Sequence, residues 1–131
     1  MTEHKMPASG TFCWTELATT DVGAAGKFYS ALLGWRLHSS EAAGAGYTEI
    51  EAGGERIGGI HQMGEEFGQM PSHWMAYVAV EDVDEKARLV AELGGTVCVP
   101  PCDIPNVGRF CVVNDPTGAT LSLITLTGAH S

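Results

Sequence analysis

The sequence is poor in positive charge. Seven Lys and Arg residues face sixteen Asp and Glu residues in a chain of 131, which gives a formal net charge of −9. Proteins that neutralise nucleic-acid phosphates need clusters of Lys and Arg, so the composition argues against nucleic-acid binding. The same shortage argues against binding to anionic membrane surfaces.

Long apolar runs are also missing. No segment approaches the roughly 20 consecutive apolar residues of a membrane span, and the first ten residues lack the apolar core of a secretion signal. Apolar residues make up 44% of the chain and charged residues 18%, which is typical of a globular domain. These features predict a cytoplasmic protein that does not contact membranes.

Paired cysteines of the C-x-x-C type are absent. Cys13 and Cys111 lie in apolar, strand-like runs, and this favours buried thiols. Cys98 and Cys102 flank Pro100-Pro101, where the chain turns. Four cysteines without a secretion signal need not form a disulfide framework.

Turn and capping residues divide the first half of the chain into a strand, a helix and three more strands. After a flexible tail over residues 1–10, an aromatic-rich strand spans residues 12–19. Asp21 is placed to cap a helix that ends at Gly34. Strands then follow over residues 35–38, 47–51 and 55–63, with the hairpin turn Gly53-Gly54 before the last of them.

The same order returns after a polar connector at residues 64–72. A strand over residues 74–80 leads to a helix capped by Asp82 and ended by Gly94-Gly95. A strand over residues 96–99 is expected to stop at Pro100, and another spans residues 109–113. Asp115-Pro116-Thr117-Gly118 predicts a type I turn before the closing strand, residues 119–126.

An internal repeat of about 60 residues underlies this order. Residues 31–34 read Ala-Leu-Leu-Gly and residues 91–94 read Ala-Glu-Leu-Gly, and each half begins with a Trp-containing strand before a capping Asp. One βαβββ unit has a helix on one face of its sheet only. Two copies that face each other would close the open faces and enclose a cup.

These motifs resemble the vicinal oxygen chelate superfamily, which includes glyoxalase I, extradiol dioxygenases and bleomycin resistance proteins. The resemblance covers residues 12–127 and rests on WTELATTD (14–21), KFYSALLGW (27–35), YVAVEDVD (77–84), GRF (108–110) and DPTGA (115–119). It implies an α+β fold of paired βαβββ modules, 11–64 and 72–128, enclosing a cup in one glyoxalase-like domain over residues 1–131. It also implies a homodimer.

The resemblance further implies where a metal would be held. Family members that use a metal take His, Gln or Glu ligands from the first and last strands of each module. The matching positions here are Trp14, about Gly58, Met75 or its neighbour Trp74, and Ser122. These residue types cannot replace a set of imidazoles and carboxylates around a divalent ion, so we expect no metal at the usual site and no cofactor.

Other residues remain candidates for chemistry. Glu16 shares a strand face with Trp14, where a carboxylate beside an indole could act as a general base or accept a hydrogen bond from a ligand; a solvated or salt-bridged Glu is the alternative. The expected pocket lining is formed by Trp14, Tyr47, Glu49, Met75, Tyr77, Phe110 and Ser122.

Three hypotheses remain open from the sequence. The leading one is a protein without the usual metal site that binds a small apolar or aromatic molecule in the cup. The second is a lyase, isomerase or dioxygenase-like enzyme that uses Glu16 as base, or a metal held by substitute ligands such as Glu16, His61 and His73. The third is an interaction module whose cup is filled by its own side chains.

Overall fold

The computed structural model describes residues 7–40, 47–65, 68–104 and 107–127. The chain forms two compact units: residues 14–75, and residues 1–13 together with 76–131. Most of the predicted flexible tail, residues 1–6, lies outside the described residues. At its end, the Gly10 N–H donates to the Ala79 carbonyl at 2.7 Å. Within the described ranges, no helix is long and apolar enough to cross a membrane.

The first module has the predicted βαβββ order. Its elements are β1 (Phe12–Thr19), α1 (Val22–Leu33), β2 (Arg36–Ser40), β3 (Tyr47–Ala52) and β4 (Glu55–Gln62). The strands lie in the order β2-β3-β4-β1, and only the β1–β4 pair is parallel. As predicted, the Asp21 carboxylate accepts from the Ala24 N–H at 3.0 Å. Gly34 ends α1 in the left-handed conformation, with φ 74°.

The second module repeats this order. Its elements are β5 (His73–Ala79), α2 (Val83–Glu92), β6 (Thr96–Ile104), β7 (Gly108–Asn114) and β8 (Thr120–Leu126). The strands lie in the order β5-β8-β7-β6. The Asp82 carboxylate caps α2 by accepting from the Glu85 N–H at 3.1 Å. The predicted turn before β8 is closed by a 2.9 Å bond from the Gly118 N–H to the Asp115 carbonyl.

The expectation that Pro100 ends a strand is wrong. β6 continues through both prolines to Ile104. Proline lacks the N–H that a central strand needs, but β6 lies at the edge of its module. Its pairing with β7 also shifts register on both sides of Val99, and such irregularities accommodate residues that cannot join the ladder.

Each module buries an apolar core between its sheet and its helix. Leu17, Ile50 and Ile60 form the first core, packed against side chains of α1. Val83, Cys111 and Val113 form the second, so Cys111 is buried as predicted. Because strand side chains alternate between faces, the residues between these positions point to the opposite side. We call these sides the first and the second open face.

Candidate functional site

Strand pairing places two predicted carboxylates in one row on the first open face. Glu16 on β1 lies opposite Gly59 on β4, and Glu49 on β3 lies opposite the same glycine from the other side. Gly58, the approximate ligand position inferred from the sequence, pairs instead with Thr15 and Ile50 on the helix side. The residue of β4 that lies on the open face is therefore Gly59, one position later, and like Gly58 it has no side chain that could bind a metal.

Tyr47 fills the space above Gly59. A Cβ atom at position 59 would lie 1.9 Å from the Tyr47 hydroxyl oxygen, so the ring can lie there only because residue 59 has no side chain. The hydroxyl accepts a hydrogen bond from Trp14 Nε1 at 3.0 Å. It is also hydrogen-bonded to the Glu16 carboxylate. Since a phenol has one proton, the Tyr47 O–H donates to Glu16.

The electrostatic environment of Tyr47 follows from this position. Burial raises the pKa of the Tyr47 hydroxyl well above its ordinary value, and the negative charge of Glu16 raises this pKa further. The hydroxyl therefore stays protonated at neutral pH. A permanent donor thus orients the Glu16 carboxylate.

His61 joins this group from β4. Its Nε2 lies 3.8 Å from Glu16 Oε1, and the side chain of Glu16 is only 15% exposed. This separation is too long for a hydrogen bond but short enough for a strong Coulomb interaction when His61 is protonated. His61 and Glu16 have no strand or helix spacing in common, because their contact comes from the pairing of β1 with β4.

The remaining carboxylates of this face are paired. Glu49 is ion-paired with Arg56, and Glu51 lies 2.6 Å from His38 Nε2. Arg56 reaches Glu49 because the β3–β4 register shifts between Ile50 and Glu51. Such a bulge re-aims the side chains that follow it, and sequence periodicity did not reveal it.

The second open face is apolar. The ring centroids of Tyr77 and Phe110 lie 6.3 Å apart. Tyr77 pairs with Ser122, which is fully buried. The Ser122 hydroxyl has no hydrogen-bond partner among the described residues. Met75 alternates with Tyr77 along β5 and is half-buried.

The predicted lining residues thus fall into two groups. Trp14, Glu16, Tyr47 and Glu49 lie together on the first open face. Tyr77, Phe110 and Ser122 lie together on the second. Each group stays a predicted binding surface.

The residues at the inherited ligand positions do not fit a divalent metal. Trp14 has an indole, Gly58 has no side chain, Met75 has a thioether and Ser122 has a hydroxyl. Divalent ions of this kind bind imidazole, carboxylate or thiolate ligands. In the substitute set of Glu16, His61 and His73, the Nδ1 atom of His73 lies 3.0 Å from the Pro71 carbonyl oxygen. In the described part of the chain, no three His, Cys, Asp or Glu side chains are grouped as a metal would require. We therefore derive no step through a metal.

Comparison with known proteins gives consistent matches. The family model described as Glyoxalase/Bleomycin resistance protein/Dioxygenase superfamily matches residues 11–123. A Mycobacterium tuberculosis protein named as a glyoxylase, CFP32, is 42% identical over 117 residues, covering 88% of this chain and 44% of the relative. The anthracycline biosynthesis protein DnrV of Streptomyces peucetius is 32% identical over 129 residues, covering 88% of this chain and 47% of the relative.

A solved structure has the same fold. Methylmalonyl-CoA epimerase from Mycobacterium tuberculosis superposes with a TM-score of 0.60 at 18% identity, covering 95% of this chain and 94% of the epimerase. This likeness shows the fold of paired βαβββ modules alone. The chain spans about half the length of the curated relatives it matches.

Proposed function

This chain belongs to the glyoxalase/bleomycin resistance protein/dioxygenase superfamily, and we propose that it binds a small aromatic molecule on its first open face without the family's usual metal site. The observation that carries this proposal is the Glu16 carboxylate, hydrogen-bonded to Tyr47, which is itself fixed by Trp14. A preoriented acceptor beside an aromatic wall is typical of small-molecule sites.

The charges of this face define the class of ligand. Glu49 is ion-paired with Arg56. Glu51 and Glu16 each lie near a histidine, His38 at 2.6 Å and His61 at 3.8 Å, and each histidine is charged only when protonated. An anionic ligand would meet the negative charge of Glu16. A neutral phenol or an aromatic amine can instead donate a hydrogen bond to that carboxylate, and charge-assisted hydrogen bonds of this kind are the stronger ones.

The contact between Glu16 and His61 supports a second candidate function. A carboxylate 3.8 Å from an imidazole could take a proton from a bound ligand and pass it to His61. In this alternative the protein is an isomerase or lyase, with Glu16 as general base and His61 as the group that returns the proton.

Binding of a chemically graded panel tests the first function. Phenols, aromatic amines and aromatic carboxylates of similar size are ranked by thermal shift, and the best ligand is then titrated by calorimetry. We expect a phenol or an aromatic amine to bind more tightly than the aromatic carboxylates. Glu16→Gln should weaken its affinity by on the order of 2–5 kcal/mol, because a buried, hydrogen-bonded charge is removed.

Two further variants complete the test. Glu55→Gln, an exposed position on β4, is the matched control and should bind as wild type does. Trp14→Phe should cost less than Glu16→Gln, since aromatic contacts contribute roughly 0.5–1.5 kcal/mol beyond area burial. If aromatic carboxylates bind best, or if wild type and Glu16→Gln bind the ligand with equal affinity, then Glu16 is not part of the binding site. Exchange of a ligand C–H for deuterium that is abolished in Glu16→Gln would favour the enzyme.

A further inference from the structure

Glu16 and His61 are held near each other at a distance too long for a direct hydrogen bond. Glu16 lies on β1 opposite Gly59, and His61 follows two residues later on β4, opposite Ala18. Glu16 Oε1 and His61 Nε2 are 3.8 Å apart, and the two side chains are 15% and 28% exposed. The pair is therefore largely buried but within reach of a molecule bound on the first open face.

The gap between these two atoms has the size of one bridging oxygen. Polar atoms more than about 3.5 Å apart are often linked through a water molecule that bonds to both. Hydrogen bonds to oxygen are about 2.8 Å long. One oxygen can therefore lie within bonding distance of Glu16 Oε1 and His61 Nε2 at the same time. A hydroxyl group of a ligand fits this position as a water molecule would.

The two side chains require different properties of the bridging group. The Glu16 carboxylate only accepts hydrogen bonds, and Tyr47 uses one of its roughly four acceptor positions. The negative charge of Glu16 favours the tautomer of His61 that carries its proton on Nε2. In that tautomer Nε2 is a donor. The bridging group must therefore donate to Glu16 and accept from His61.

We propose that His61 is a specificity-determining residue that selects a phenolic hydroxyl over an aromatic amine. The inference rests on the proposed function, in which the polar group of an aromatic ligand donates to Glu16. A hydroxyl has one donor and two acceptor positions, so it can bond to Glu16 and His61 together. An aromatic amine can donate to Glu16, but its lone pair is conjugated with the ring and accepts poorly. A methyl ether can accept from His61 but has no proton to donate.

The other histidine of the first open face provides a matched control. His38 lies on β2, next to Leu37 of the helix-side core, and therefore points to the open side. Its Nε2 is 2.6 Å from Glu51 Oε1, which is within direct hydrogen-bond distance. No oxygen fits between atoms this close. His38→Leu should therefore leave the ligand preference unchanged, whereas His61→Leu should abolish it.

Calorimetric titration near neutral pH with three matched probes tests this inference. The probes are naphthol, naphthylamine and methoxynaphthalene, substituted at the same carbon. Wild type should bind naphthol about fivefold to tenfold more tightly than either analogue, because each analogue loses one hydrogen bond. His61→Leu should bind naphthol and naphthylamine equally. His61→Gln should keep part of the preference, since its amide N–H can still donate, and a purely structural role of His61 would not produce this rescue.

The outcomes separate this inference from the proposed function. If no probe binds, or if Glu16→Gln binds naphthol and naphthylamine as wild type does, the proposed function fails and the inference fails with it. If Glu16→Gln weakens both but wild type does not prefer naphthol, the proposed function stands and the role of His61 is wrong.

The variants give two further outcomes that would overturn the role of His61. One is a preference for naphthol that persists in folded His61→Leu, and the other is a preference lost equally in His38→Leu. Circular dichroism establishes that each variant is folded. The ranking by wild type requires no variant, so tighter binding of naphthylamine overturns the inference even if His61→Leu does not fold.

Discussion

Trp14 and Tyr47 are hydrogen-bonded at 3.0 Å although their strands are not neighbours. β4 lies between β1 and β3, and adjacent strands are about 4.8 Å apart. The contact is possible because Gly59 leaves room for the Tyr47 ring above β4. One glycine therefore allows the indole, the phenol and the Glu16 carboxylate to form a connected set.

Gly59→Ala should destabilise the protein through Tyr47. The added methyl would overlap the phenol, and overpacking of this kind costs about 1–3 kcal/mol of unfolding free energy. Chemical denaturation of Gly59→Ala, Tyr47→Ala and the double variant measures the coupling between the two positions. In the Tyr47→Ala background the added methyl should cost almost nothing. An equal loss in both backgrounds would assign the effect to the strand and not to the ring.

Tyr47 should titrate abnormally. Burial and the Glu16 charge raise the pKa of its hydroxyl above the ordinary 10, so the phenolate signal lost in Tyr47→Phe should belong to a tyrosine that ionises above pH 10. Glu16→Gln should lower this pKa, because the repulsion between phenolate and carboxylate disappears. The pKa should stay above 10 in that variant, since burial remains the largest cause.

The same pKa shift predicts how stability depends on pH. The unfolded chain loses this proton near pH 10, whereas the folded chain keeps it. The stabilisation is therefore complete below pH 10 and is lost as the pH rises towards the folded value. Denaturation curves should show a steeper alkaline loss for wild type than for Tyr47→Phe. Identical slopes would contradict the shift.

Ser122→Ala should stabilise the second module. The hydroxyl is fully buried and has no partner in the described part of the chain, and an unsatisfied buried polar group costs about 1–3 kcal/mol. Its removal should raise the unfolding free energy by about 1 kcal/mol. Thermal and chemical denaturation provide the measurement.

Thr125→Val on the same strand is the control for Ser122. The Thr125 hydroxyl accepts from the Val83 N–H at 2.9 Å and donates to the Val80 carbonyl at 3.0 Å. Its loss should therefore destabilise the protein. If Ser122→Ala also destabilises, the Ser122 hydroxyl has a partner in solution, such as an ordered water.

The sequence by itself determined the elements and the repeat. Asp21 and Asp82 mark the helix starts because their carboxylates satisfy free N–H groups of the first turn. Alternation along single strands placed Trp14 with Glu16 on one side of β1. These features depend on interactions between near neighbours in the chain, which local patterns record.

Only the tertiary structure decided which strands bring the site residues together. Glu16 meets His61, 45 positions later, through the parallel pairing of β1 with β4. Arg56 reaches Glu49 through a shift in register, and β6 accepts Pro100 because it is an edge strand. Periodicity fixes the face of each side chain within a strand. The register between distant strands depends on the packing of the whole sheet, and no local pattern encodes it.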